Sequence, residues 1–354
     1  MSRDIARAKG PPNRERVRLG TPTLRQVGER IESANRTFIT SHFKPDGDAL
    51  GSAVGLARSL GALGRTSDVY FSGPLEPNLL SLATPTPVRR VEEHPPRDEY
   101  DLCVIVDTGA WSQLEPLDAW LRPKRDSIVV IDHHAHGNDI GAMALVNPRA
   151  ASTTEILLEL IREMNWPLTG GISSVAEALF IGLATDTGWF RFDNADAPAF
   201  AAASDLLACG VDKTRLYQII EESWRPQRLA LEARALASLE YFNQGAIAMM
   251  MLRSGDFAET GGSPEDLSGL INAPMMVGAV RVSILLSQSE PGRTKVSFRS
   301  KPRTADGENR LFVDVNTLAQ RLGGGGHVHA AGARLNVDID DARAAVLQAL
   351  AECR

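Results

Sequence analysis

Ser127-Ile-Val-Val-Ile-Asp132-His133-His134 is an unbroken apolar run that stops at one carboxylate and two imidazoles. A short run without polar alternation suits a strand buried on both faces of a parallel sheet. In open α/β sheets, ligands sit beyond the carboxyl ends of the strands. Asp132, His133 and His134 therefore fall where chemistry is expected. A strand followed by an ordinary polar turn explains this stretch alone equally well, so the rest of the chain decides.

Two other strands end the same way. Residues 36–41 read as the first strand, followed by His42 and then Lys44-Pro45-Asp46-Gly47-Asp48. Pro45 stops the ladder and Gly47 permits a tight turn. The small-residue segment 49–63 reads as a helix, and Gly51 and Gly55 argue for close backbone approach rather than helix propensity. An Asp that caps a helix accounts for one carboxylate, but not for His42, Asp46 and Asp48 together. Residues 101–106 form a further buried strand that ends at Asp107, beside Gly109. Residues 68–72 read as a strand, 73–100 as irregular chain with one short helix, and 142–146 as a short strand. Helices are expected over 152–164, with Ser152, Thr153 or Thr154 as cap, and over 173–185. Asp186 at the end of the second helix opposes the helix dipole, a local misfit that points to function. Trp189, Phe190 and Phe192 read as core rather than as a base-stacking platform.

Helices follow over 198–209, 213–222 and 227–241. After Asn243-Gln244-Gly245 the character changes. Residues 246–252, 279–286 and 294–299 read as strands of a smaller mixed sheet, and 313–322 and 341–351 as helices. The glycine-rich loop Gly323-Gly324-Gly325-Gly326-His327-Val328-His329-Ala330-Ala331-Gly332 lies between those helices. The expected fold class is α/β: an N-terminal, mostly parallel, doubly wound sheet and a smaller C-terminal α/β domain with a mixed sheet. The expected division is a basic, disordered tail over 1–22, a metal-binding catalytic domain over 23–241 and a substrate-binding domain over 242–354. The active site is expected in the cleft between the two domains.

The 354 residues carry a net charge of -6, which gives no global basic field for a long nucleic acid. The tail has Arg3, Arg7, Lys9, Arg14, Arg16 and Arg18 but no apolar core of a secretory signal. Cys103, Cys209 and Cys353 are far apart and odd in number, which implies a reducing compartment, here the cytoplasm, and no disulfide framework. No apolar run is long enough to span a membrane.

His42, Asp46, Asp48, Asp107, His133 and Asp186 are the candidate metal ligands. Mixed imidazole and carboxylate suit Mn²⁺ better than Ca²⁺, with Mg²⁺ as the alternative. Six ligands exceed one open catalytic ion and suit two, bridged by a carboxylate and a water. Four ionised Asp side chains in one crevice would otherwise repel and take up protons. Such a centre activates water and supports in-line displacement at phosphorus, so hydrolysis of a phosphate ester or anhydride is the expected reaction. His134 either acts on the phosphoryl or leaving oxygen, or orients its neighbour. Asp132 fits a supporting role better than a ligand. Backbone N–H groups of Gly324, Gly325 and Gly326 can cradle an anion, with His327, Arg299 and Ser300 as further phosphate contacts.

His42-x-x-x-Asp46-x-Asp48, Asp107, Asp132-His133-His134 and Asp186 resemble, in order, the four motifs of the DHH phosphoesterases. Gly324-Gly-Gly-His327-x-x-Ala-Ala-Gly332 resembles the signature of the DHH-associated C-terminal domain. Size and layout look most like the oligoribonucleases of the NrnA type, which also dephosphorylate 3′-phosphoadenosine 5′-phosphate. The resemblance implies that His42, Asp46 and Asp107 hold one Mn²⁺, and that Asp48, Asp107, His133 and Asp186 hold the other. It implies that Asp107 bridges and that His134 acts at the scissile phosphate. Arg299, Ser300 and the loop around His327 would bind the nucleotide and its terminal phosphate. The implied partners are short RNA oligonucleotides and nucleoside 3′,5′-bisphosphates, with no membrane and no long duplex; whether two copies pair as a homodimer stays open. Cyclic or linear di-AMP is the alternative substrate class. The fourth glycine and His329 depart from the family pattern.

Overall fold

The computed structural model describes residues 22–97, 99–134, 137–301 and 313–352. Most of the expected basic tail, Cys353 and the side chain of His327 lie outside the described residues. Contacts divide the chain into two units, Met1–Ser223 and Trp224–Arg354.

The first unit begins with α1 (Leu24–Glu32), a helix beyond those expected from the sequence. Thr23 and Gln26 form its capping box, and Val27 and Ile31 bury its apolar stripe. The chain then alternates through β1 (Arg36–Thr40), α2 (Gly47–Ala62), β2 (Thr66–Phe71), α3 (Pro77–Ala83), β3 (Val88–Arg90) and β4 (Leu102–Val106). Next come α4 (Asp118–Leu121), β5 (Ile128–Asp132), β6 (Met143–Val146), α5 (Thr153–Glu163), α6 (Val175–Asp186), α7 (Ala197–Ala208) and α8 (Lys213–Glu221). β3 was missed because it is a three-residue, half-buried edge strand.

The six strands form one sheet in the order β3-β2-β1-β4-β5-β6, with every neighbouring pair parallel. Alternate residues serve opposite faces. Ile39, Val104, Val106, Val129 and Ile131 join the core with α2, α5 and α6. Phe38, Cys103, Ile105, Ile128 and Val130 meet Leu114, Leu117 and Leu121 on the other side. Burial on both faces explains why β5 carries no polar alternation. The strand order reverses between β1 and β4, a topological switch point whose carboxyl edge is the expected ligand crevice.

α2 owes its position to its glycines. A methyl group at Gly51 would come within 2.5 Å of the Ala178 carbonyl oxygen, and one at Gly47 within 2.2 Å of Thr185 Oγ1. α2 and α6 therefore touch backbone to backbone, as the glycine spacing suggested.

The second unit contains α9 (Pro226–Ala237), β7 (Glu240–Phe242), β8 (Ile247–Leu252), α10 (Ser254–Thr260), β9 (Val282–Glu290) and β10 (Arg293–Ser300). It continues through α11 (Val315–Arg321), β11 (Gly325–His327), β12 (Ala330–Leu335) and α12 (Ile339–Ala351). Its sheet runs β11-β12-β10-β9-β8-β7. β8 pairs β9 in parallel and the other pairs are antiparallel, so the sheet is mixed as expected. The sequence boundary at residue 241 assigns α9 to the first domain. It packs instead in the second unit, where Leu231 and Ala235 meet Met250, Leu252, Phe257 and Leu285. Residues 240 and 241, expected at the end of that helix, belong to β7.

The glycine segment also differs from expectation. It is a hairpin, not a loop: Gly325 pairs Gly332, Gly326 pairs Ala331 and His327 pairs Ala330. A methyl group at Gly324 would approach the Gly332 carbonyl oxygen to 2.1 Å. The glycines thus serve close strand approach.

Candidate metal centre

Three strands deliver the site. β1 ends one residue before Ser41-His42, β4 ends at Val106 before Asp107, and β5 ends at Asp132 before His133 and His134. Two helices complete it, α2 with Asp46 and Asp48 at its start and α6 with Asp186 at its end.

Each side chain is held from outside the crevice. Asp46 caps α2, its Oδ1 accepting from the N–H groups of Asp48 at 3.0 Å and Ala49 at 3.1 Å. Asp48 is buried, and its two oxygens accept from the N–H groups of Thr153 at 2.7 Å and Thr154 at 3.1 Å. These are orphan donors at the start of α5, where the helix dipole favours an anion. Asp107 has a left-handed φ of 60°. That conformation costs a non-glycine residue about 1–3 kcal/mol and clusters at functional sites. Thr153 Oγ1 donates to Asp107 Oδ1 at 3.1 Å.

The histidines are fixed by carbonyls. His42 Nδ1 lies 3.1 Å from the Phe43 oxygen, and His133 Nδ1 lies 3.3 Å from the Ala150 oxygen. A carbonyl only accepts, so each Nδ1 carries a proton, which leaves Nε2 as the ring atom free to meet a cation. Those Nε2 atoms face opposite oxygens of one carboxylate: His42 lies 3.5 Å from Asp107 Oδ2 and His133 lies 3.6 Å from Asp107 Oδ1. His42 Nε2 is also 3.8 Å from Asp46 Oδ1, and His133 Nε2 is 3.7 Å from Asp186 Oδ2.

Two donor groups result. His42, Asp46 and Asp107 form one, and Asp48, His133 and Asp186 form the other, each with ligand atoms within 4.8 Å of one another. Asp107, His133 and His134 form a third, overlapping group. All six ligands expected from the sequence are brought together.

Without a cation the electrostatics are unfavourable. Burial and the charge of Asp48 push the Asp107 carboxyl well above its ordinary range. Burial, then Asp48 and Asp46, raise Asp186 to about 7. Asp48 is raised chiefly by burial. Burial opposes the charged form of His42, but Asp107 and Asp46 outweigh it and raise its pKa to about 10. Carboxylates this crowded bind either protons or a cation. Imidazole and carboxylate donors with aimed lone pairs fit a divalent ion.

His134 lies beside these ligands, its Nδ1 3.9 Å from Asp107 Oδ1. Its Nδ1–H donates to Asp132 Oδ1 at 2.7 Å, and this bond raises its pKa to about 9. Asp132 is buried and supports His134; the sequence marks Asp132 for a supporting role without saying which side chain it holds. Thr153 and Asn194 were missed as site residues. Asn194 Nδ2 donates to the carbonyls of Ala151 at 3.0 Å and Asp186 at 3.2 Å, tying the end of α6 to the approach of α5. Thr153 was read only as a cap candidate; the cap is Ser152. Nothing local in the sequence links Thr153 to Asp48, 105 residues earlier. Trp189 and Phe190 pack against the core, whereas Phe192, expected inside, is 56% exposed. Its ring lies over Gly188 at the close of the turn.

In the second unit the strand register places Arg299, Ala330 and His327 in one row. Ser300 beside them is buried, and its Oγ lies 3.0 Å from His329 Nδ1. The backbone positions of Arg299, Ser300, Gly325, Gly326 and His327 thus fall at one end of β10 and the β11–β12 hairpin.

The description "DHH family, N-terminal domain" matches residues 36–183, and "DHHA1 domain" matches residues 243–352. The chain is 30% identical to the "Bifunctional oligoribonuclease and PAP phosphatase NrnA" of Thermus thermophilus, over 96% of this chain and 94% of that protein. It is 26% identical to the "Cyclic-di-AMP phosphodiesterase PdeA" of Listeria monocytogenes, over 97% of this chain but 51% of that protein. Among solved structures, an exopolyphosphatase-related protein from Bacteroides fragilis shares the fold, with a TM-score of 0.82 and 24% identity over 93% of this chain and 95% of that one. With the site residues at the carboxyl edge of a parallel sheet and both domain descriptions matched in order, the chain belongs to the DHH family of phosphoesterases, with a DHH domain followed by a DHHA1 domain.

Proposed function

We propose that this protein is a two-metal phosphoesterase that hydrolyses short oligoribonucleotides to mononucleotides and removes the 3′-phosphate of 3′-phosphoadenosine 5′-phosphate. The observation that carries the chemistry is the split carboxylate of Asp107, one oxygen toward His42 and the other toward His133. The substrate class rests on the near full-length similarity to the Thermus oligoribonuclease and phosphatase. His42, Asp46 and Asp107 would hold one divalent ion, and Asp48, Asp107, His133 and Asp186 the other. Mn²⁺ is the ion inferred, with Mg²⁺ second. Such ions, when bound, lower the pKa of water and neutralise phosphoryl charge.

The chain's own residues supply the rest. Asp132 holds His134 by Nδ1, which leaves Nε2 to face the reacting phosphate and to protonate the leaving oxygen. Arg299 and Ser300, with the backbone of Gly324, Gly325 and Gly326 and with His327, would bind the nucleotide and its terminal phosphate. A cytoplasmic setting fits these substrates. Among the described residues no helix is long and apolar enough to cross a membrane.

A second reading, hydrolysis of cyclic or linear di-AMP, is favoured by the similarity to the Listeria phosphodiesterase. A Mn²⁺-dependent hydrolysis panel separates the two. It contains a 5′-phosphorylated RNA dinucleotide, a long single-stranded RNA, 3′-phosphoadenosine 5′-phosphate, both forms of di-AMP, and pyrophosphate. Fast turnover of the RNA dinucleotide or the bisphosphate, with little on the long RNA or pyrophosphate, supports the first reading. Preference for cyclic di-AMP overturns it and keeps the metal centre.

A further inference from the structure

Thr153 touches both donor groups of the centre. Its backbone N–H binds Asp48 at 2.7 Å, and its hydroxyl donates to Asp107 at 3.1 Å. The side chain is fully buried. The hydroxyl meets Oδ1, the Asp107 oxygen that faces His133, and not Oδ2, the oxygen that faces His42. A buried carboxylate oxygen that loses a hydrogen-bond donor is left with its desolvation uncompensated and its orientation unset. The backbone bonds from the N–H groups of Thr153 and Thr154 to Asp48 do not depend on the side chain.

We propose that Thr153 is a positioning residue that fixes the Asp107 carboxylate so that Oδ1 serves the donor group of Asp48, His133 and Asp186. The inference rests on the two-ion reading above and deepens it. The hydroxyl makes the two cation positions unequal: its loss weakens the His133 position and spares the His42 position.

The test is calorimetric titration of the chelator-stripped full-length chain with Mn²⁺, which reads binding without turnover. Wild type should take up two ions. Thr153→Val, which keeps shape and backbone N–H but lacks the hydroxyl, should keep one ion at wild-type affinity. It should bind the second about 10–100-fold more weakly. Thr153→Ser, which restores the hydroxyl, should recover it. Wild-type binding of both ions by Thr153→Val, or equal weakening of both, would overturn the positioning role. Should Thr153→Val and Thr153→Ala both fail to fold while Thr153→Ser folds, the hydroxyl is structural and the proposal is equally overturned. If wild type itself takes up no Mn²⁺, or only one ion, the two-ion reading fails instead.

Discussion

Asp132 grips His134 twice through one oxygen, accepting from the backbone N–H at 3.1 Å and from ring Nδ1–H at 2.7 Å. Through His134 the pair borders the centre, with His134 Nδ1 3.9 Å from Asp107 Oδ1. Asp132→Asn keeps the shape but removes the charge that supports an imidazolium. It should lower kcat by about 10²-fold, the usual scale of a general acid, with Mn²⁺ loading unchanged. Steady-state kinetics and metal analysis of the same preparation check this. A parallel loss of metal would place Asp132 among the ligands.

Chelated protein should lose stability as pH rises. The Asp186 carboxyl, raised to about 7, contributes stability that is complete below its unfolded pKa of about 4 and is lost as pH rises through the folded value. His42, raised to about 10, and His134, raised to about 9, have the same sign and extend the loss above about 6.5. Thermal melts in a chelator from pH 4 to 9 should fall steadily. Saturating Mn²⁺ should flatten the upper part of the curve, because the ion replaces the protons. A chelated melt that rises across this window would contradict the assigned directions.

Two glycines of α2 should behave oppositely. Gly51→Ala forces a methyl group to 2.5 Å from the Ala178 backbone oxygen and 2.8 Å from the Gly182 nitrogen, where backbone must move. It should destabilise the protein by about 1–3 kcal/mol and disturb Mn²⁺ binding. Gly61→Ala meets nothing within 4 Å and should stabilise the helix by up to about 1 kcal/mol. Urea unfolding of both variants decides the matter.

The place of α9 is testable by truncation. Leu231 is buried in the second unit, and burying a leucine contributes about 1.5–3 kcal/mol. A fragment beginning at Trp224 should fold cooperatively. One beginning at Phe242 exposes Met250, Leu252 and Phe257 and should aggregate or melt without a transition, as circular dichroism would show.

The elements read best from sequence are those whose neighbours are dictated by local pattern. β5 was legible because burial on both faces removes polar alternation, and α2 because glycines at fourfold spacing serve no helix propensity. α1 and β3 were lost because each is short and leaves much of its surface in water. The hairpin at Gly325–His327 was hidden because glycine reads as a turn, while its use in close strand pairing depends on a partner sequence.

The sequence by itself determined the six candidate ligands, His134 as a further candidate and the α/β class, since each depends on where a strand or helix stops along the chain. Tertiary structure alone decided which oxygen of Asp107 faces which histidine, and that Thr153 reaches Asp48 and Asp107. It also decided that α9 belongs to the second unit. Those relationships join residues far apart in sequence, and their energy appears only once the sheet has brought the strand ends together.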